Sequence, residues 1–162
     1  METQGASNNE RVLAAARADN EDLLLEVFEE GNFDINCTDG LGNTPLHNAV
    51  SHGSTDVLEH ILSREGCDVD PINSIEKATP LHLAIKIEHV ELRKFIVDSL
   101  LDAGADTSIK DKNGETVLDI IPLDDTVLRG LIRKSQAQSS VSKDDIASDD
   151  DEGSGGSGSD SE

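Results

Sequence analysis

Metal binding and proton transfer need histidines, cysteines or carboxylates gathered at defined spacings, and the chain offers candidates of each kind. Its histidines stand at 47, 52, 60, 82 and 89, and its cysteines are Cys37 and Cys67. A zinc site needs about four such ligands at short, paired intervals. His52, His60 and His89 have no such partner at ligand spacing on one helix face, so no metal site is expected. A nucleophilic cysteine needs a setting that favours the thiolate. Cys37 and Cys67 show none and read instead as small buried apolar residues. Asp124 and Asp125 are adjacent, but such pairs are usually a solvated surface. The run GSGGSGS follows no strand and reads as a linker-like tail, not a phosphate cradle. No catalytic residue, cofactor or metal is expected, and the chain does not read as an enzyme.

His47 and His82 have a different explanation, because each belongs to a repeated phrase. NTPLHNAV (Asn43 to Val50) returns as ATPLHLAI (Ala78 to Ile85), with the two threonines 35 residues apart. Thr44 and Thr79 are placed to cap a helix N-terminus, where a hydroxyl satisfies an orphan amide. Pro45 and Pro80 suit the first helical position, where no donor is missed. Leu46 and Leu81 then point inward with Ala49 and Ala84, and the histidines are left to bond backbone or hydroxyl groups of neighbouring turns.

The residues between the phrases repeat too. Val57, Leu58, Ile61 and Leu62 form one apolar stripe on a helix. Ile96, Val97, Leu100 and Leu101 repeat the spacing, as do Leu23, Leu24, Val27 and Phe28 upstream. Gly66, Gly104 and Gly31 close the three stripes, as glycine does past a helix end. Asp39, Gly42 and Thr44 have a further echo in Asp111, Gly114 and Thr116.

On these motifs the chain resembles the ankyrin repeats over residues 9–134. The resemblance implies an all-α solenoid of about four helix-pair units, counting degenerate N- and C-terminal caps. It also implies protein binding along the turn tips and the exposed side of each first helix. The positions concerned are Gly40, Leu41, Asn43, Ser51 and His52, then Ile75, Glu76, Ala78, Lys86 and Ile87, then Lys112, Asn113 and Glu115. Leu41, Ile75 and Ile87 are apolar where solvent is expected, which makes them the expected anchors. Two departures matter. The third unit is longer, which predicts a second helix extended by up to about one turn. The fourth replaces Thr-Pro-Leu-His with Thr116, Val117, Leu118 and Asp119. A short helix through Val127, Leu128, Leu131 and Ile132 then serves as the C-terminal cap, with Arg129, Arg133 and Lys134 near its end.

Residues 1–8 are expected to be a disordered N-terminus. Residues 135–162 are expected to form a disordered acidic Ser/Gly/Asp tail, because this composition buries too little apolar area to offset chain entropy. Within it, Ser142 and Ser148 precede acidic residues and are candidate sites for acid-directed kinases. The net charge of −21 disfavours nucleic acid and anionic membrane surfaces and favours a basic protein partner. No apolar run resembles a signal peptide or a membrane span, so a cytoplasmic location, or also a nuclear one, is expected, with the free chain a monomer. Two functions fit. One is an adaptor or escort chaperone for a basic protein, a ribosomal protein among the candidates. The other is a regulatory inhibitor or scaffold subunit that masks a surface on a signalling or transcription protein.

Overall fold

A computed structural model describes the backbone of residues 7–148 and side chains through residue 139. In chain order the helices are α1 (Asn8–Ala18), α2 (Glu21–Glu30), α3 (Pro45–Ser51), α4 (Thr55–Ser63), α5 (Pro80–Ile85), α6 (Val90–Asp102), α7 (Val117–Ile120) and α8 (Thr126–Ser148). Among the described residues there is no strand, and the fold is an all-α repeat stack.

The repeated phrase starts helices as its chemistry dictates. The Oγ1 atoms of Thr44 and Thr79 accept from the backbone N–H of His47 and His82, each at 3.2 Å. Each imidazole answers through Nδ1, accepting the threonine N–H at 3.1 Å and 3.3 Å. Histidine thus closes a reciprocal capping box usually completed by Glu or Gln. Pro45 and Pro80 occupy the first turn of their helices. Ser7 and Glu10 form a box of the ordinary kind at the start of α1.

The described residues through Pro122 form one compact unit and those from Leu123 onward a second. In the first, α1–α2, α3–α4 and α5–α6 are the helix pairs, and α7 begins a fourth repeat. Leu24 and Val27, then Leu46, Val57, Leu58 and Ile61, then Leu81, Ile96, Val97 and Leu100 are buried in succession. Each such side chain contributes about 1.5–3 kcal/mol by leaving water. Ala49 and Ala84 are fully buried on α3 and α5, where a larger residue would push paired helices apart. Phe28 and Phe33 stack at 5.2 Å, and the Arg64 guanidinium covers both rings at 4.8 Å, joining the first repeat to the second.

The departures have physical sources. α6 has 13 residues against 9 in α4, about one turn more, so the longer third unit goes into its second helix. α7 has only four residues and stops before Pro122. In the second unit the Asp125 side chain accepts from Leu128 N–H at 3.1 Å at the start of α8. α8 runs through Lys134, where the ordered part was expected to end, and reaches Ser148. Residues 135–148 contain neither glycine nor proline, so nothing in them breaks a helix; the glycines begin at Gly153. Arg129, Arg133 and Lys134 therefore lie inside α8 and not near its end. Ser142 and Ser148 lie on its backbone, and residues 149–162 and 1–6 are outside the described part.

Candidate protein-binding surface

The second, third and fourth repeats project a turn before their first helix, and in the second and fourth one carboxylate organises it. Asp39 Oδ1 accepts from Leu41 N–H at 2.9 Å and Asn43 N–H at 3.0 Å, while Asp39 N–H donates to the Asn43 carbonyl at 2.9 Å. Asp111 makes the same three bonds with Asn113 and Glu115. Burial pushes the Asp39 carboxyl upward, but the amides of Asn43 and Leu41 outweigh it and hold the group below its usual range. Asp111 is held down first by the Glu115 amide. In the middle turn Asn73 takes this place, accepting from Glu76 N–H and Ala78 N–H across a loop one residue longer.

Neighbouring turns are bonded to each other. Ser74 N–H donates to the Leu41 carbonyl at 3.0 Å, and Lys112 N–H to the Glu76 carbonyl at 2.9 Å. Gly42 sits at φ +80°, and a Cβ there would lie 2.8 Å from Ser74 N, so only glycine allows the approach. Deeper in, His47 Nε2 meets the Ala78 carbonyl at 2.9 Å and His82 Nε2 the Glu115 carbonyl at 2.9 Å. A carbonyl can only accept, so each imidazole carries its proton on Nε2 and accepts at Nδ1. Burial pushes the His47 pKa down, keeping this neutral tautomer in place. The phrase thus caps its own helix and fastens the next turn.

The expected contact residues divide by burial. Gly40, Leu41, Ser51, His52, Ile75, Lys86, Lys112 and Asn113 are exposed. Asn43, Glu76, Ile87 and Glu115 are half-buried. Ala78 is a correction: it is only 1% exposed, because its N–H and carbonyl both bond Asn73 and its carbonyl also meets His47. No partner can reach it. Leu41 and Ile75 are 53% and 60% exposed on adjacent, directly bonded turns. Ile87 is a weaker anchor, half-buried with its carbonyl bonded to Arg93. Ile72, Lys77 and Lys110 are exposed beside these turns and were not anticipated. The longer middle loop, with Asn73 in the place of Asp39, hid the alignment that would have marked them.

The second helices α2, α4 and α6 carry Glu21, Asp22, Glu26, Glu29, Glu30, Asp56, Glu59, Glu91, Asp98 and Asp102. Arg11 pairs with Glu26 and Glu30, His60 with Glu21, and Lys94 with Asp98. Lys77 and Lys112 stand on the turns beside Glu76 and Asp111, and Arg93 and Lys94 lie on α6. An open dent of about 360 Å³ is lined by Ala18, Asp19, Asn20, Glu21, Asp22 and Asp56. Asp19 there accepts from Val57 N–H at 3.1 Å, capping the next repeat's α4.

The other candidate groups have structural partners. His52 Nδ1 meets the Asn48 carbonyl at 2.9 Å, and His89 Nδ1 accepts Leu92 N–H at the start of α6. Cys37 and Cys67 are half-buried, less enclosed than expected, and burial pushes both thiols up to about 11. Among the described residues no group of three or more His, Cys, Asp or Glu could hold a metal, and no helix is long and apolar enough to cross a membrane.

Comparison with known proteins adds a family. The family model described as ankyrin repeats, in three copies, matches residues 12–111. An ankyrin repeat-containing protein of Saccharomyces cerevisiae is 37% identical over 132 residues, covering 75% of this chain and 73% of its own length. The SMC5-SMC6 complex localization factor protein 1 of Homo sapiens is 38% identical over 104 residues, and that of Bos taurus 36% over 103. In both, 62% of this chain matches 9% of the relative.

Proposed function

The chain belongs to the ankyrin-repeat family, a protein–protein interaction fold, and from that premise we propose that it is a non-enzymatic adaptor or escort for a basic protein. The observation that carries this reading is the pair Leu41 and Ile75. They are exposed apolar side chains on turns locked together by the Ser74–Leu41 hydrogen bond. Anchors held on a rigid scaffold lose little entropy on binding. The net charge of −21, spread along the chain, would draw a basic partner from a distance. In this division of labour the carboxylates govern approach and the turns govern residence. The acidic residues 149–162, outside the described structure, would add to the approach term. Phosphorylation of Ser142 or Ser148 would add charge of the same sign. A monomer in the cytoplasm or nucleus accords with this role, and a ribosomal protein is one basic partner of the kind.

The likeness to proteins named as localisation factors of the SMC5-SMC6 complex favours a second reading. In that reading the chain is a scaffold or masking subunit, held by the apolar turns with little electrostatic help.

Binding kinetics separate the two. Leu41→Ser with Ile75→Ser, which leaves the charge unchanged, should speed release by about tenfold or more and leave association nearly unchanged, since short-range contacts act mainly on dissociation. Removing residues 149–162 should slow association and flatten its salt dependence. Association that ignores salt would reject the escort, and release that ignores the two substitutions would reject the turns as the site.

A further inference from the structure

Behind the turns runs a second ladder, one rung per repeat, in the loops that close each helix pair. Three loops share a local bond. Asn36 N–H donates to Asp34 Oδ1 at 2.9 Å, Asp70 N–H to Asp68 Oδ1 at 3.0 Å, and Ser108 N–H to Asp106 Oδ1 at 2.8 Å. This makes Asn36, Asp70 and Ser108 equivalent. Between repeats, Asn36 binds the next loop with both ends of its carboxamide. Its Oδ1 accepts Asp68 N–H at 2.8 Å, and its Nδ2 donates to the Gly66 carbonyl at 2.8 Å. Asn8 and Asn9 share the same task one repeat earlier, bonding the Gly31 carbonyl and Asp34 N–H at 2.8 and 2.7 Å.

At the next junction the amide is replaced by a carboxylate. Asp70 Oδ1 accepts Asp106 N–H at 2.9 Å, so the accepting half of the rung is intact. The donating half, toward the Gly104 carbonyl, is not made, because an ionised carboxylate has no proton to give. We propose that Asp70 is a protonation-controlled latch between the loops that close the second and third repeats, closed when its carboxyl donates to the Gly104 carbonyl as Asn36 does to Gly66. The charged groups facing it are Asp106 in the following loop and Asp68 in its own. Both repel the ionised form. Burial, with these two carboxylates, raises the Asp70 pKa above its usual value. An acid raised on folding binds its proton more tightly in the folded chain. Its contribution to stability is therefore full below the ordinary carboxyl range and is lost as pH rises through the folded value. The loop that closes the third repeat is thus tied less firmly to its predecessor at neutral pH than the loop that closes the second.

The test is hydrogen exchange on the full chain, read over residues 104–121, for the parent, Asp70→Asn and Asp70→Ala. One net hydrogen bond corresponds to roughly three- to tenfold slower exchange. At neutral pH Asp70→Asn should show that slowing over this segment and none over residues 36–66, and the advantage should shrink as pH falls toward 4. Asp70→Ala, which removes the repulsion but supplies no donor, should not reproduce it. Equal protection from Asn and Ala would reduce Asp70 to a source of repulsion and overturn the latch. So would an Asn variant that exchanges like the parent, or a gain that does not change with pH.

Discussion

At the scale of single residues, the histidine of the repeated phrase is part of the scaffold, and His47 makes this testable. Its Nδ1 must accept from Thr44 N–H while Nε2 donates to the Ala78 carbonyl. A second proton would set a donor against a donor. Burial lowers its pKa from 6.5, so on acidification the unfolded chain takes up this proton first. The His47 contribution is complete above about pH 6.5 and is lost as pH falls through the folded value. In urea titrations, the stability advantage of the parent over His47→Gln should shrink between about pH 7.5 and about pH 5.5. Asp39 and Asp111, also lowered, act in the same direction but in the carboxylate range. The thiols give a second check. With both pushed up to about 11 from 9.0, Cys37 and Cys67 hold roughly a hundredfold less thiolate at neutral pH than an ordinary cysteine. Alkylation of the native chain should be correspondingly slow and should accelerate on unfolding.

At the scale of elements, the helix starts bear the most information per residue. Thr44→Ala and Thr79→Ala should each cost about 0.5–2 kcal/mol, the usual price of a lost cap. Leu46→Ala and Leu81→Ala remove fully enclosed side chains and should cost about 2–5 kcal/mol each by thermal or denaturant melting. These elements were legible in the sequence because one local rule, cap then proline then apolar pair, acts within a few residues. The extra turn of α6 was legible for the same reason, as a longer interval between Thr79 and Gly104. What escaped were features set by a neighbour. Ala78 looks like an exposed turn residue until the bonds from Asn73 and His47 enclose it. The capping of α4 by Asp19 spans 38 residues, and no local pattern announces it. α8 escaped through composition: a serine- and aspartate-rich run was read as a tail, although it lacks any residue that stops a helix. A chain ending at Lys134 should therefore lose helical circular dichroism relative to one ending at Ser148.

At the scale of the whole molecule, the central functional claim is that the surplus of carboxylates governs approach while exposed apolar side chains on the turns govern residence. Carboxylates outnumber cations across the chain, 34 to 13, whereas the turns offer Leu41 and Ile75 as exposed apolar contacts. A partner drawn by one and held by the other must be basic overall and apolar where it meets the turns. Raising salt from about 0.15 M to about 1 M shortens the screening length from about 8 Å to about 3 Å, which removes steering and leaves apolar contact in place. The most direct measurement is capture from a cell extract by the parent and by Leu41→Ser with Ile75→Ser, at both salt concentrations, with captured proteins identified by mass spectrometry. The account predicts a basic protein retained by the parent at low salt, depleted at high salt and absent from the double variant. An acidic partner, or a basic one held equally by parent and variant, would contradict it.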